Sequence, residues 1–118
     1  PSMKIYHLST CSTCQRILKE MPGLDRFELQ DIKTEPIAAK QLDGMKEMAG
    51  SYEALFSRRA VKFRSMGLDK KDLTGTDCRN LILSEYTFLK RPVIVINDAI
   101  FIGNAAKVVN AAMEAAAR

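Results

Sequence analysis

Hydrophobic and polar positions along the chain alternate between two periods. Met3 to His7, Met-Lys-Ile-Tyr-His, is a short apolar run in which Ile5 and Tyr6 favour a strand. The run gives out at Leu8-Ser9-Thr10-Cys11. From Ser12 or Thr13 onward, Cys14, Ile17, Leu18 and Met21 recur at spacings of three and four, which predicts a helix ended by Pro22-Gly23. Cys11 therefore falls where a strand hands over to a helix N-terminus. Phe27, Leu29 and Ile32 predict a second strand, and Pro36 opens a new helical stretch. From Ile37 to about Leu83 the pattern is helical, broken at Gly50-Ser51, near Gly67-Leu68 and at Thr74-Gly75-Thr76, with Asp69 and Asp77 or Thr76 as candidate N-caps. After Pro92, Val93 to Ile96 and Ala99 to Gly103 flank Asn97-Asp98, the pattern of a hairpin with a two-residue turn. Asn104 can cap a final Ala-rich helix reaching Ala117.

The order is β-α-β, a helical insert between the second and third strands, then β-β-α. That is an α/β layer architecture with the element order of thioredoxin-like folds, and it predicts a four-stranded mixed sheet. A length of 118 residues suits one core, so residues 3–118 are expected to form a single domain. Pro1 and Ser2 precede Met3, the expected natural start, and are read as a cloning remnant. The apolar share of 47% and charged share of 27% match ordinary soluble globular proteins. No apolar run approaches the ~18 residues of a membrane span, and no secretory leader is visible, so the expected compartment is the cytoplasm.

Charge changes this picture little. The net charge of +4 is mild, and basic residues gather only around Arg58, Arg59, Lys62 and Arg64 and at Lys90 and Arg91. That distribution is too sparse for direct nucleic-acid binding and sufficient for one small anion site. Nothing in the sequence calls for a membrane partner, a metal or a bound organic cofactor. The chain is expected to act as a monomer.

Three cysteines are too few, and odd in number, for a disulfide framework. A thiol acts as a nucleophile only when ionised, and the unpaired N–H groups and dipole at a helix N-terminus stabilise that anion. Cys11 is placed to receive both. Cys14 follows one helical turn later, where its sulfur can resolve a mixed disulfide or a sulfenic acid on Cys11. Two core cysteines or half a zinc site would also give Cys-x-x-Cys, but only His7 and Cys78 remain as further ligands and neither has finger-like spacing. The strand–turn–helix context favours redox chemistry. His7, the single histidine, lies four residues before Cys11 and could lower its pKa or shuttle its proton; a hydrogen-bonded core histidine is the alternative. Cys78 falls inside a helical pattern beside Leu81 and Ile82 and reads as a buried core thiol. An Arg91-Pro92 bond is inexpensive to make cis, and would place Arg91 beside the Cys11 loop as an anion fork.

With these residues in place the sequence resembles the ArsC/Spx family of thioredoxin-fold proteins over nearly its whole length. The markers are Ile5-Tyr6-His7, Cys11-x-x-Cys14 with Arg16, Asp31-Ile32-Lys33-Thr34-Glu35-Pro36, Leu55-Phe56-Ser57-Arg58-Arg59, Lys90-Arg91-Pro92-Val93-Ile94 and Phe101-Ile102-Gly103. The resemblance implies a thiol–disulfide oxidoreductase of the arsenate reductase type. There Cys11 would attack the oxyanion, His7 would lower its pKa, Arg59 and Arg91 would hold the anion, and glutathione or glutaredoxin would supply electrons. Two features depart from the reductases: no third arginine follows the hairpin, where only Ile100 to Asn104 stand, and Cys14 occupies a position that is usually Ser. The cysteine pair is closer to Spx-type regulators, which use it as a redox switch and dock on the RNA polymerase α subunit. A reductase is the first expectation, an Spx-like regulator the second, and a binding module with inert cysteines the third.

Overall fold

The computed structural model describes residues 3–118; Pro1 and Ser2, read above as a cloning remnant, lie outside the described residues. The chain divides into two compact units, one made of the residues up to Glu35 with Arg91–Arg118, the other of Pro36–Lys90.

Apolar alternation and β-branched residues build the sheet of the first unit. Its strands are β1 (Met3–His7), β2 (Glu28–Asp31), β3 (Val93–Ile96) and β4 (Ala99–Ile102), in the spatial order β2-β1-β3-β4. β1 runs parallel to β2 and antiparallel to β3, and β3 pairs antiparallel with β4. The mixed four-stranded sheet is the one the element order predicts. A crossover must join the parallel pair, and α1 (Ser12–Glu20) supplies it. Ile5 lies opposite Ile94 in the register, and both point into one apolar cluster. Ile17 and Leu18 of α1 join it, with Val109, Ala112 and Ala116 of the final helix α2 (Ala106–Ala117). Small Ala112 and Ala116, both fully buried, leave no room for bulk on that face of the helix.

Two expectations change here. Leu29 is 43% exposed, while its neighbour Gln30 is buried and donates its amide to the Glu35 carbonyl at 3.0 Å. β2 is an edge strand, so its apolar residue on the Ile5 side is incompletely covered. The strand's inward position is Gln30, opposite Tyr6. Asn104 does not cap the last helix: Ala105 does, without a side-chain bond, because the helix starts one residue later than the sequence suggests. Asn97 carries the hairpin turn with φ of 53°, a left-handed conformation that Asn adopts more readily than most residues.

The second unit is helical. Its elements are α3 (Ala39–Ala49), α4 (Val61–Ser65) and α5 (Gly75–Ser84), with single turns of 3-10 helix at Glu53–Leu55, Leu68–Lys70 and Tyr86–Phe88. The break after α3 is at Gly50, whose φ of 95° suits a residue without Cβ. The N-cap of α5 is Thr74, not Asp77 or Thr76. Thr74 Oγ1 accepts from the Asp77 N–H at 3.1 Å, and the Asp77 carboxylate accepts from the Thr74 N–H at 3.0 Å. This reciprocal box satisfies two donors with one residue pair. Asp69 caps nothing, since Gly67 precedes the short turn at Leu68–Lys70. Phe56 stacks on Phe88 at 5.3 Å between ring centroids and meets Phe63 at 6.0 Å. Among the described residues no helix is long and apolar enough to cross a membrane.

One polar network ties α3 to α5. Arg79 donates to Asp43 at 2.8 and 3.2 Å, and the Tyr52 hydroxyl donates to the same carboxylate at 2.6 Å. The Arg79 and Tyr52 bonds hold the Asp43 carboxyl at about 2, against an ordinary 3.8. A folded-state pKa below the unfolded one means that the stabilisation is complete above the ordinary value and disappears as pH falls through about 2. In urea titrations at a series of acid pH values, Asp43→Asn should therefore flatten the loss of stability between pH 4 and pH 2. A slope equal to wild type in that window would reject the assignment.

Candidate active site

The turn that follows β1 sets the site. Leu8 closes it by accepting the Cys11 N–H at 3.0 Å, and the first bond of α1 runs from the Gln15 N–H to the Cys11 carbonyl at 3.1 Å. Cys11 is thereby the N-cap residue, with extended backbone angles of −96° and 113°. Its side chain makes no capping bond of standard geometry. The sulfur instead faces the N–H groups of Thr13 and Cys14 and the Cys14 thiol.

Two thiols one turn apart meet opposite surroundings. Partial burial pushes the Cys11 thiol up; the N–H and thiol of Cys14, the charge of Arg91 and the Thr13 N–H outweigh it, leaving Cys11 below its ordinary value. Cys14 is fully buried, and burial pushes its thiol up to about 11, against the N–H of Leu8 and the charge of Arg91. An ionised Cys11 makes it harder still for Cys14 to lose its proton. One sulfur thus ionises more readily than an ordinary thiol, and its neighbour keeps its proton longer. All three cysteines are free thiols, and Cys78, enclosed in α5, is raised chiefly by burial.

The remaining expected residues are placed as follows. Arg91 is partly exposed, and its charge acts on both sulfurs. The Arg91–Pro92 peptide bond is cis, and Pro92 is buried with its carbonyl accepting the Gly103 N–H at 2.9 Å. His7, half-buried, turns its Nδ1 toward the Gln15 amide nitrogen at 3.5 Å and lies opposite Asp31 in the β1–β2 register. Asp31 is held below its ordinary value by the Ser9 hydroxyl first, then by the N–H groups of Lys33 and Ser9 and the charge of His7, against slight burial. Cys11, Cys14, His7, Arg91 and Pro92 all belong to the first unit. Arg59 belongs to the second, where it lines an open cleft of about 650 Å³ with Arg58, Ala60, Val61, Arg64 and Ser65. The Arg58 guanidinium lies 5.6 Å from the Phe63 ring centroid. Among the described residues no group of three or more His, Cys, Asp or Glu side chains is gathered to hold a metal ion.

Gln15 escaped the sequence reading, although its position four residues after Cys11 puts it on the same helical face. Its amide nitrogen donates to the Leu8 carbonyl at 3.1 Å as well as facing His7.

A four-stranded mixed sheet with a cysteine capping the helix after its first strand defines an α/β protein of thioredoxin-like fold. The sequence profile of the ArsC family matches residues 6–112, and the chain belongs to that family. Among solved structures, it is similar to "a possible arsenate reductase from Streptococcus mutans UA159", at 29% identity, a TM-score of 0.70, and coverage of 92% of this chain and 97% of that one. An arsenate reductase (ArsC) related protein from Brucella melitensis is 23% identical with a TM-score of 0.71, covering 94% and 93%. Arsenate reductase from Vibrio cholerae shares the fold at 15% identity, a TM-score of 0.76 and 96% of each chain. No curated protein matches the sequence.

The unequal thiols predict unequal alkylation. With pulsed iodoacetamide and mass spectrometry, Cys11 should react at a lower pH than a free cysteine, and Arg91→Ala should move its profile upward. Cys14 should stay unmodified until the pH nears 11. Equal profiles for the two cysteines would contradict this assignment.

Proposed function

We propose that the protein is a thiol–disulfide oxidoreductase of the arsenate reductase type, with Cys11 as nucleophile and Cys14 as resolving thiol. The observation that carries this reading is the asymmetry of the pair: one sulfur lowered toward ionisation at a helix start, beside a second held protonated up to about 11. Family membership supports the same class.

The chemistry follows from that asymmetry. The Cys11 thiolate attacks arsenic(V) in arsenate, a sulfur–arsenic bond forms, and one arsenate oxygen leaves as water after protonation. Cys14 then attacks the sulfur of Cys11 and gives its proton to solvent. The sulfur–sulfur bond forms as the sulfur–arsenic bond breaks, and the bonding pair stays on arsenic, which becomes arsenic(III). Two electrons reach arsenic and two thiols become one disulfide. Glutathione, directly or through glutaredoxin, returns the disulfide to two thiols. Arg91 holds the oxyanion, because a planar guanidinium group matches its oxygens and offsets repulsion from the thiolate. His7 assists ionisation of Cys11. In this reading the protein works in the cytoplasm as a monomer.

A second reading has its own support. Cys14 stands where the reductases usually have Ser, and a pair of contacting thiols is also what an Spx-like redox regulator of RNA polymerase would use.

The deciding experiment measures arsenate reduction with glutathione and glutaredoxin supplied, beside capture of the RNA polymerase α subunit. Turnover is expected, falling to background in Cys11→Ser and by about 10- to 100-fold in kcat/KM for Arg91→Ala, the size of losing a charged hydrogen bond. Polymerase capture without turnover would replace the enzyme with the regulator. Diamide should join Cys11 to Cys14 and leave Cys78 free, and two free thiols at the first pair after treatment would remove the resolving role.

A further inference from the structure

The Gln15 side chain makes a choice that the imidazole of His7 has to follow. Its amide nitrogen lies 3.1 Å from the Leu8 carbonyl oxygen, and a carbonyl can only accept. Turning the amide over would set two acceptors against each other, so the nitrogen is fixed on this side. The same nitrogen carries a second hydrogen, and its other neighbour is His7 Nδ1 at 3.5 Å. Nδ1 meets a donor and is therefore the acceptor, which leaves the ring hydrogen of the neutral imidazole on Nε2. Leu8 also accepts the Cys11 N–H at 3.0 Å, so one carbonyl anchors both the cap of α1 and the amide that faces the histidine.

We propose that Gln15 is a positioning residue that fixes His7 in the tautomer protonated at Nε2 and turns its Nδ1 toward α1. The juxtaposition joins two elements, the end of β1 and the first turn of α1, through a side chain that touches neither sulfur by any contact described above. Asp31, opposite His7 on β2, is the charged group on the other neighbouring strand, and it acts on the ring as a charge while Gln15 acts as a directed donor. The proposal deepens the reading of Cys11 as an ionised nucleophile assisted by His7, and rests on that reading for its effect on reactivity.

The chain has a single histidine, so its ring nitrogens can be read without ambiguity. In long-range proton–nitrogen correlation spectra of the ¹⁵N-labelled protein, at a pH where the ring is neutral, Nδ1 should appear as the unprotonated nitrogen and Nε2 as the protonated one. Gln15→Glu exchanges the donor for a carboxylate, which turns away from the Leu8 carbonyl and accepts from the ring, and it should move the hydrogen to Nδ1. Gln15→Leu removes the donor and should give averaged shifts of mixed tautomers. A simple loss of packing would not invert the pattern, so inversion in the Glu variant separates positioning from structure. An Nε2-protonated ring in all three proteins, or an Nδ1-protonated ring in the wild type, would overturn the proposal. Alkylation of Cys11 in the same proteins tests the underlying reading separately. If the tautomer inverts while the pH profile of Cys11 is unmoved, Gln15 still positions the ring, and it is the assistance of His7 to Cys11 that fails.

Discussion

Backbone N–H groups in the first turn of a helix have no carbonyl four residues earlier to bond, and here they face the sulfur of Cys11. Much of the first unit can be understood as what it takes to keep that arrangement. The parallel pairing of β1 with β2 forces a crossover between them, which is α1, and its starting point is set by where β1 must end. The Leu8 peptide then fixes the turn. Its carbonyl accepts from the Cys11 N–H and the Gln15 amide, while its N–H faces the sulfur of Cys14.

The apolar core is connected to this chemistry by α1. Ile17 and Leu18 are held in the cluster built on Ile5 and Ile94, and Cys14 is buried on the same helix. Burial that anchors the helix also deprives Cys14 of water and keeps its proton on. Cys11, one turn earlier, is left half-exposed at the cap, where N–H dipoles and the Arg91 charge dominate. The difference between the two thiols is thus a consequence of packing depth along a single helix. A cysteine pair at the same spacing in the middle of an exposed helix would lack it.

The second unit is organised on different physics. The aromatic rings of Phe56, Phe63 and Phe88, a capping box at Thr74 and the Asp43–Arg79–Tyr52 network hold short helical pieces together. It also carries most of the clustered positive charge, at Arg58, Arg59, Lys62 and Arg64. One of these is spoken for, since the Lys62 ammonium meets the Glu85 carboxylate at 2.6 Å.

Local chemistry was legible in the sequence because it depends on neighbours along the chain. The apolar run at Ile5-Tyr6, the spacing of Cys14, Ile17 and Leu18, the hairpin around Asn97-Asp98 and the position of Cys11 at a helix start follow from periodicity and turn preferences alone. What stayed hidden depends on partners distant in the chain, or on which of several polar neighbours wins a given donor. Leu29 reads as an inward strand residue until the sheet order puts β2 at the edge, and the burial of Gln30 follows only once its register with Tyr6 is known. Thr74, Thr76 and Asp77 are all acceptable caps by residue type, and only the backbone of the first helical turn selects Thr74. The sequence by itself determined that a thiol would stand at a helix N-terminus with a second one turn on. Only the tertiary structure decided how ionisable each would be, because the depth of burial is set by packing and the Arg91 charge comes from a segment about eighty residues further along the chain.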